Sequence, residues 1–243
     1  ILVLITTYFL KRDLKIYRCD MKWFLVFTIV DATFFQLFLT YGISKTGAGL
    51  GSVLIDSQPL LVALLARAIF GNLINPIGWL GLLFGAGGIV FLGFPKEFLE
   101  KWWLMSDTNL GDIQFNIGEA WMLAAALAMA LGTILIRLTC KKSDPVAVTG
   151  WHMIIGSFPL IIKYSIDTNL QSLPSWSLNE WGLMSFASVF GGAIAYGLFF
   201  YFANNKEITG FSTLAFLTPV FALLSGGLWL NERLTIIQWV GVV

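Results

Sequence analysis

Long uninterrupted runs of apolar residues recur along this chain, and most are as long as a membrane-spanning helix. A helix needs about twenty apolar residues to cross a bilayer. The nine runs cover residues 1–10, 23–44, 47–71, 76–94, 118–138, 146–166, 181–203, 209–230 and 235–243. Strands of a membrane barrel would instead alternate over segments of about ten residues. The pattern therefore predicts an all-α fold, a polytopic bundle of membrane helices.

The composition strengthens this prediction. Hydrophobic residues make up 57% of the chain and charged residues only 12%. A soluble domain is about one quarter charged, and a domain of this size could not bury so much apolar surface. The net charge of +1 gives no basic surface for nucleic acid. Cys19 and Cys140 lack the spacing of metal ligands, so we expect two free thiols and no cofactor.

Lysine and arginine are concentrated in some loops and scarce in others. The loop at residues 11–22 has five, and the segment at residues 137–142 has three. Alternating crossings would place both, together with Lys206, on the same side of the membrane. That side then has nine basic residues against five on the other. Because an excess of basic residues marks the cytoplasmic side, we expect these loops to be cytoplasmic.

Two of the apolar runs resemble each other, since a shift of 160 residues aligns the third with the eighth without a gap. The identical pairs include Ser52 with Ser212, Leu54 with Leu214, Pro59 with Pro219 and Trp79 with Trp239. Five predicted crossings separate the two prolines, and an odd number inverts the second copy. Inverted repeats are typical of secondary transporters, whose binding site lies near the midplane between the repeats. The sequence therefore predicts a carrier of a small solute.

Two segments are similar to the EamA domain of the drug/metabolite transporter superfamily: residues 49–71, GLGSVLIDSQPLLVALLARAIFG, and residues 210–243. The second has a mid-helix proline, Pro219, an acidic residue at the helix end, Glu232, and a glycine in the next helix. In the first copy Asn72 occupies the position of that acidic residue, which departs from the family pattern.

The resemblance implies ten helices in two inverted five-helix repeats, with this chain truncated at both ends. The first repeat would cover residues 1–94, an extracytoplasmic loop residues 95–117, and the second repeat residues 118–243. The resemblance also implies export or exchange of a small organic metabolite, such as an amino acid, often with a proton as the coupling ion. The segments Asp56–Pro59 and Trp151–His152 are similar to cyanobacterial and plastid members. We expect a bacterial inner membrane as the location, with a plastid membrane as the alternative.

Two carboxylates fall inside predicted spanning helices, where an ionised group is costly and is a functional candidate by default. Asp31 lies about nine residues from the cytoplasmic end of its helix, and Asp56 about nine residues from the opposite end of the next. Both are therefore near the midplane, on adjacent antiparallel helices. Neighbouring carboxylates can share a proton or bind a cation. The alternative is that each is neutral or hydrogen-bonded and only structural.

Two further ionisable residues have two interpretations each. Arg67 follows Asp56 by three helical turns on the same face, where it could hold an anionic substrate or extend to the membrane surface. His152, the only histidine in the sequence, lies about six residues inside its helix from the cytoplasmic side. A lone histidine is usually a hydrogen-bonded core residue, but in a carrier it also suits a proton relay.

The two matched prolines, Pro59 and Pro219, each leave a backbone carbonyl unpaired one turn earlier. Matched helix breaks in the two halves of a transporter point to the binding site, although each could be a simple kink. Ser57 and Gln58, beside the first proline, would then contact the solute. Tyr196 lies in an aromatic-rich helix and belongs either to a cage around the solute or to ordinary packing.

The sequence favours a secondary transporter over two alternatives. A membrane-embedded enzyme needs a metal cluster or a nucleophile with its base, and a single histidine argues against both, so no enzymatic activity is expected. A membrane accessory subunit without transport of its own is the other alternative. Because no ATP-binding motif is present, a gradient would supply the energy, most simply a proton gradient. The expected partners are the bilayer, a proton and a small neutral, zwitterionic or weakly charged metabolite; the oligomeric state is not determined by the sequence.

Overall fold

The computed structural model describes residues 1–46, 51, 54–71, 73–93, 117–168, 176–205, 208–218 and 221. The predicted ninth run, most of the 95–117 loop and Pro219 lie outside these residues. The helices are α1 Leu2–Phe9, α2 Met21–Thr46, α3 Gln58–Phe70, α4 Pro76–Gly93, α5 Ile117–Thr139, α6 Pro145–Thr168, α7 Leu178–Asn205 and α8 Ile208–Thr213. The described residues contain no strand, which confirms the all-helical prediction for them.

Four of these helices are long and apolar enough to cross a membrane: α2, α5, residues Pro145–Ile166 of α6, and α7. Each of them extends over one of the predicted apolar runs and exceeds it by no more than three residues at either end. Leu, Ala, Ile and Phe fill these helices and can face lipid or other helices equally well, because lipid requires only that the backbone hydrogen bonds be internal.

The third predicted run is not one continuous helix, which corrects the prediction of a single helix over residues 47–71. Residues 54–55 are helical, Asp56 and Ser57 form a turn, and α3 begins at Gln58. Pro59 explains the break, because proline has no N–H for the preceding turn and its ring clashes with the carbonyl four residues earlier. The helix ends at Gly71, whose positive φ of 69° lets its N–H reach the Arg67 carbonyl at 3.1 Å.

Internal contacts divide the chain into two compact units. The first consists of Ile1–Gln36 and Leu131–Glu207, and the second of Leu37–Ala130 and Ile208–Val243. In the first unit, α6 packs against α1, the first half of α2 and the second half of α7. In the second unit, α8 packs against α3, and α3 against α4.

The two basic loops of the first unit contact each other directly. Arg12 forms an ion pair with Asp144 at 3.1 Å, and the Asp20 carboxylate accepts hydrogen bonds from both the backbone N–H and the hydroxyl of Ser143, each at 2.8 Å. Burial disfavours the charged form of Asp20, but the hydrogen bonds from Ser143 and the Lys142 backbone outweigh it and lower the Asp20 pKa. The loops therefore lie at the same end of the unit, as alternating crossings predict.

Candidate functional site

The first unit contains an ionisable pair, Asp31 on α2 and His152 on α6. Nε2 of His152 lies 3.0 Å from Oδ2 of Asp31. The two residues are 1% and 0% exposed, respectively. They are 121 residues apart in the sequence, so the packing of α6 on α2 creates the pair.

A backbone carbonyl fixes the orientation of the His152 ring. Nδ1 lies 2.6 Å from the Thr149 carbonyl oxygen, on the preceding turn of α6. Because a carbonyl oxygen can only accept, Nδ1 carries a hydrogen and donates it. The ring therefore presents its other nitrogen, Nε2, to Asp31.

Aromatic side chains enclose the imidazole. Phe27, one turn before Asp31, stacks on the His152 ring with centroids 4.3 Å apart, and Phe200 of α7 meets it edge-on at 5.5 Å. Phe27 and Phe200 are themselves 0% exposed and pack edge-to-face at 5.1 Å. This apolar enclosure keeps water from the pair and strengthens its electrostatic interaction.

The second carboxylate oxygen of Asp31 has a different environment. Oδ1 is buried and has no hydrogen-bond partner within the described part of the chain. It lies against Gly132 of α5, where an added Cβ would collide with the carboxylate. Gly132 thus lets α5 approach Asp31 closely, and the approach leaves Oδ1 without a donor.

Asp31 lies in a π-helical segment, Thr28–Phe35, in the middle of α2. Such segments are rare and often occur at functional sites, because they interrupt the regular hydrogen-bond ladder of the helix. Two close contacts hold this segment to α6: the Thr33 hydroxyl donates to the Gly156 carbonyl at 3.0 Å, and Ala32 lies where a Cβ at Gly156 would be.

Tyr196, predicted as a site residue, lies in the same unit as this pair. Its hydroxyl is hydrogen-bonded to the side chain of Gln36, and it interacts electrostatically with Asp31. Its ring also lies 5.8 Å from that of Phe200. The first unit therefore brings together three of the predicted residues: Asp31, His152 and Tyr196.

Four other predicted residues cluster at the helix break of the second unit. Asp56 and Ser57 form the turn and are half-buried, and Gln58 and Pro59 are buried at the start of α3. The Ser57 hydroxyl donates to the Leu54 carbonyl at 2.6 Å and thereby satisfies one acceptor near the break. The predicted pairing of Asp56 with Asp31 joins residues of different units and stays a prediction.

Arg67 is exposed near the end of α3, an arrangement that suits extension to the membrane surface. Pro219 lies outside the described residues, so its role also stays a prediction. Within the described residues, no group of three or more His, Cys, Asp or Glu side chains is arranged to hold a metal ion.

An apolar groove of about 430 Å³ also occurs in the first unit, away from the ionisable pair. Residues of α1 and α7, among them Val3, Val189 and Leu198, line it, with Arg12 and Tyr201 beside them. The Arg12 guanidinium lies over the Tyr201 ring at 5.0 Å. Its apolar lining suits a lipid chain or a neighbouring helix better than a polar solute.

The sequence identified Asp31 and His152 separately but not their pairing. One signal could have found it: both residues lie several residues inside their helices from the same end, the one predicted to be cytoplasmic, so they have similar depths. The contributions of Phe27, Gly132 and Thr149 had no sequence signal, because an aromatic, a glycine and a threonine are ordinary residues of a membrane helix.

Comparison with known proteins gives a consistent picture. The model of the EamA-like transporter family matches residues 1–94 and 116–243. An uncharacterized transporter of the cyanobacterium Synechocystis sp. is 47% identical over 225 residues, which cover 90% of this chain and 67% of that protein. A chloroplastic WAT1-related protein of Arabidopsis thaliana is 44% identical over 224 residues, 90% of this chain and 52% of that protein. The chain thus spans about two thirds of one relative and about half of the other.

A more distant relative, described as a probable amino-acid metabolite efflux pump of Escherichia coli, is 25% identical over 89% of this chain and 70% of that protein. A solved crystal structure matches with a TM-score of 0.75 over 98% of this chain and 77% of that one, and its 15% identity supports the fold alone. The spanning helices and the family match together show an integral membrane protein. The chain belongs to the EamA-like transporter family.

Proposed function

We propose that this protein is a secondary transporter that moves a small organic metabolite across the membrane by alternating access and draws its energy from a proton gradient. The family match and the relatives described as transporters support the transport role. The relative described as an amino-acid metabolite efflux pump supports amino acids or similar metabolites as the first solutes to test.

The buried pair Asp31–His152 is the observation that carries the proton part of the proposal. An ionisable side chain in the middle of a spanning helix costs at least about 2.5 kcal/mol to insert. A purely structural contact between α2 and α6 could be made by apolar residues without this cost. Histidine and aspartate together can take up and release a proton near neutral pH, which is the chemistry that coupling requires.

The helix break of the second unit supports a place for the solute. A broken spanning helix exposes backbone carbonyl and N–H groups that a solute can bind. We propose that Asp56, Ser57, Gln58 and Pro59 contribute to the solute path. We also propose that Tyr196, Arg67 and Pro219 take part in transport, each within its own unit.

The test is flux into proteoliposomes made with the full-length protein. The interior is loaded with one amino acid at a time, and uptake of the same radiolabelled amino acid is followed with and without an imposed pH gradient. We expect at least one amino acid to exchange, and its uptake to rise with the gradient and to fall when a protonophore is added. Liposomes without protein are the control.

The helix break is tested with Asp56→Asn in the same assay. We expect the variant to lower uptake of the amino acid, while its thermal unfolding in detergent stays close to that of the wild type. Wild-type uptake that showed no exchange for any amino acid or related metabolite would contradict the transporter proposal and favour a non-transporting accessory subunit.

A further inference from the structure

We propose that Asp31 and His152 together bind a single proton, and that loss of this proton breaks their contact and releases α2 from α6. This inference deepens the proposed function, on which it rests, by naming the coupling site and the number of protons that it holds. It follows from the positions of Nδ1 and Nε2 of His152, the Thr149 carbonyl oxygen and Oδ2 of Asp31, and from the environment around these atoms.

The proton count comes from the hydrogen-bond geometry. Nδ1 of His152 carries one hydrogen, because it lies 2.6 Å from a carbonyl oxygen. A neutral ring with its hydrogen on Nδ1 has a bare lone pair on Nε2. Nε2 nevertheless lies 3.0 Å from Oδ2 of Asp31, a hydrogen-bonding distance that two acceptors do not maintain without a proton between them.

One shared proton therefore lies between Nε2 and Oδ2. It resides either on the imidazole, giving an imidazolium beside a carboxylate, or on Asp31, giving two neutral groups. Both distributions have a net charge of zero, and a net-neutral pair is the form that an apolar enclosure tolerates best. We therefore expect Asp31 and His152 to be in contact and buried when the shared proton is bound.

Several neighbouring groups face this pair. Tyr196 of α7 is a titratable side chain that interacts electrostatically with Asp31. From α5, the glycine at position 132 faces the carboxylate, and Arg137, further along that helix, donates to the Ala203 carbonyl at 2.9 Å. Phe27 and Phe200 cover the imidazole.

Deprotonation has a definite structural consequence. With the shared proton transferred to water, the bare Nε2 would face a charged carboxylate, and a hydrogen bond would become a repulsion. The carboxylate would also be buried with Oδ1 lacking a donor, which is a costly state. Asp31 must then move toward water, and the π-helical segment Thr28–Phe35 provides a stretch of α2 whose hydrogen bonds can rearrange.

The proton count is tested first by nitrogen NMR on full-length protein labelled with ¹⁵N-histidine and purified without a histidine tag. The His152 resonances are identified by their loss in His152→Gln. We expect Nδ1 to be protonated at every pH, and the Nε2 resonance of the wild type to change with pH as the shared proton is lost, whichever of the two groups holds it. In Asp31→Asn, the amide can donate to Nε2, so we expect a neutral ring with its hydrogen on Nδ1 over the whole pH range in which the protein is monodisperse.

The matched control is Asp13→Asn, which makes the same chemical change at an exposed loop carboxylate and should leave the His152 resonances unchanged. A ring with its hydrogen on Nε2 and a bare Nδ1 in the wild type would overturn the inference. So would a wild-type Nε2 resonance that is as independent of pH as that of Asp31→Asn. Both readouts are independent of transport.

Flux then separates this inference from the proposed function. In proteoliposomes with a mixture of radiolabelled amino acids, we expect Asp31→Asn and His152→Gln each to lose the response to the pH gradient, and Asp13→Asn to keep it. A wild-type response that persists in both variants would remove the pair from coupling and leave the transporter intact. The expected NMR result without any wild-type response to the gradient would retain the one-proton site and reject proton-coupled transport.

Discussion

At the scale of single residues, the buried carboxylate of Asp31 has a partner that sequence reasoning did not give it. The sequence paired it with Asp56 by depth on adjacent helices, a pairing that stays a prediction. The structure places the His152 imidazole 3.0 Å from Asp31. Depth could be estimated from the ends of the helices, but the direction of a side chain around its helix could not. The π-helical segment makes that direction harder to predict, because it interrupts the regular helical periodicity.

Gly132→Ala tests how tightly α5 packs on Asp31. The added Cβ would collide with the Asp31 carboxylate, including its Cβ, so the whole side chain must shift. Overpacking of this kind costs about 1–3 kcal/mol, more than the helix propensity that alanine gains over glycine. We expect a lower unfolding temperature in detergent and a weaker response of flux to the pH gradient.

The matched control is Gly182→Ala in α7, where an added Cβ meets nothing within 4 Å. This variant should unfold at the wild-type temperature or slightly above it. Equal effects of the two substitutions would show that Gly132 has no special packing role beside Asp31.

At the scale of secondary-structure elements, α2 and α7 share an unusual construction. Each contains an eight-residue π-helical segment followed by an eleven-residue α-helix that completes the element. The segments begin at Thr28 and Ala187, one residue short of the 160-residue shift that aligns the internal repeat. This local correspondence is what an internal repeat predicts, while the arrangement of ten helices in two inverted repeats stays a prediction.

The start of α6 shows how a cap and an ion pair share one carboxylate. Oδ1 of Asp144 accepts hydrogen bonds from the N–H groups of Val146 at 2.9 Å and Ala147 at 3.3 Å, and Oδ2 lies 3.1 Å from the Arg12 guanidinium. The cap satisfies backbone donors that have no other partner in the first turn. The ion pair is partly exposed, so solvent screens it.

Three variants separate these two contributions. Asp144→Ala removes both and should cost about 1–2 kcal/mol of stability, mostly through the lost cap. Asp144→Asn retains the cap, and Arg12→Gln leaves the cap intact, so each should cost less than about 1 kcal/mol. Unfolding temperatures in detergent check this ranking, and an Arg12→Gln loss as large as that of Asp144→Ala would contradict it.

At the scale of the whole molecule, the two basic loops predict the orientation in the membrane. In the structure the first loop contacts both the second loop and α6. The Tyr17 N–H donates to the Ser143 hydroxyl at 3.0 Å, and the Trp151 indole of α6 donates to the Leu14 carbonyl at 3.0 Å. The positive-inside rule then predicts that this shared end faces the cytoplasm. The location in a bacterial inner membrane or a plastid membrane is consistent with the cyanobacterial and chloroplastic relatives.

Thiol labelling tests the orientation. Cys19 is exposed in the first basic loop, whereas burial, with the nearby charges of Asp20 and Asp144, raises the pKa of the Cys140 thiol and keeps it protonated. We expect a membrane-impermeant maleimide to label Cys19 in inverted vesicles but not in intact cells. Cys19→Ser identifies the signal, and labelling of Cys19 in intact cells would reverse the assigned orientation.

Hydrophobic patterning was enough to predict that this protein lies in a bilayer and to position its spanning helices. Runs of about twenty apolar residues have few alternatives to a membrane helix, and the four described spans follow those runs closely. It also determined which residues are costly in a membrane, since burial of Asp31 and His152 can be inferred from position alone. The proline rule similarly indicated a disturbance near Pro59, although not the turn at Asp56 and Ser57.

Which of these residues meet depends on the tertiary packing of the helices. The contact between Asp31 and His152 spans 121 residues, and it depends on the rotation of α2, the approach of α5 at Gly132 and the Thr149 carbonyl that orients the ring. None of these features has a local sequence signal, because any apolar face can face lipid or protein in a membrane helix. Packing of specific side chains, and not hydrophobicity, therefore selects the partner and with it the chemistry of the site.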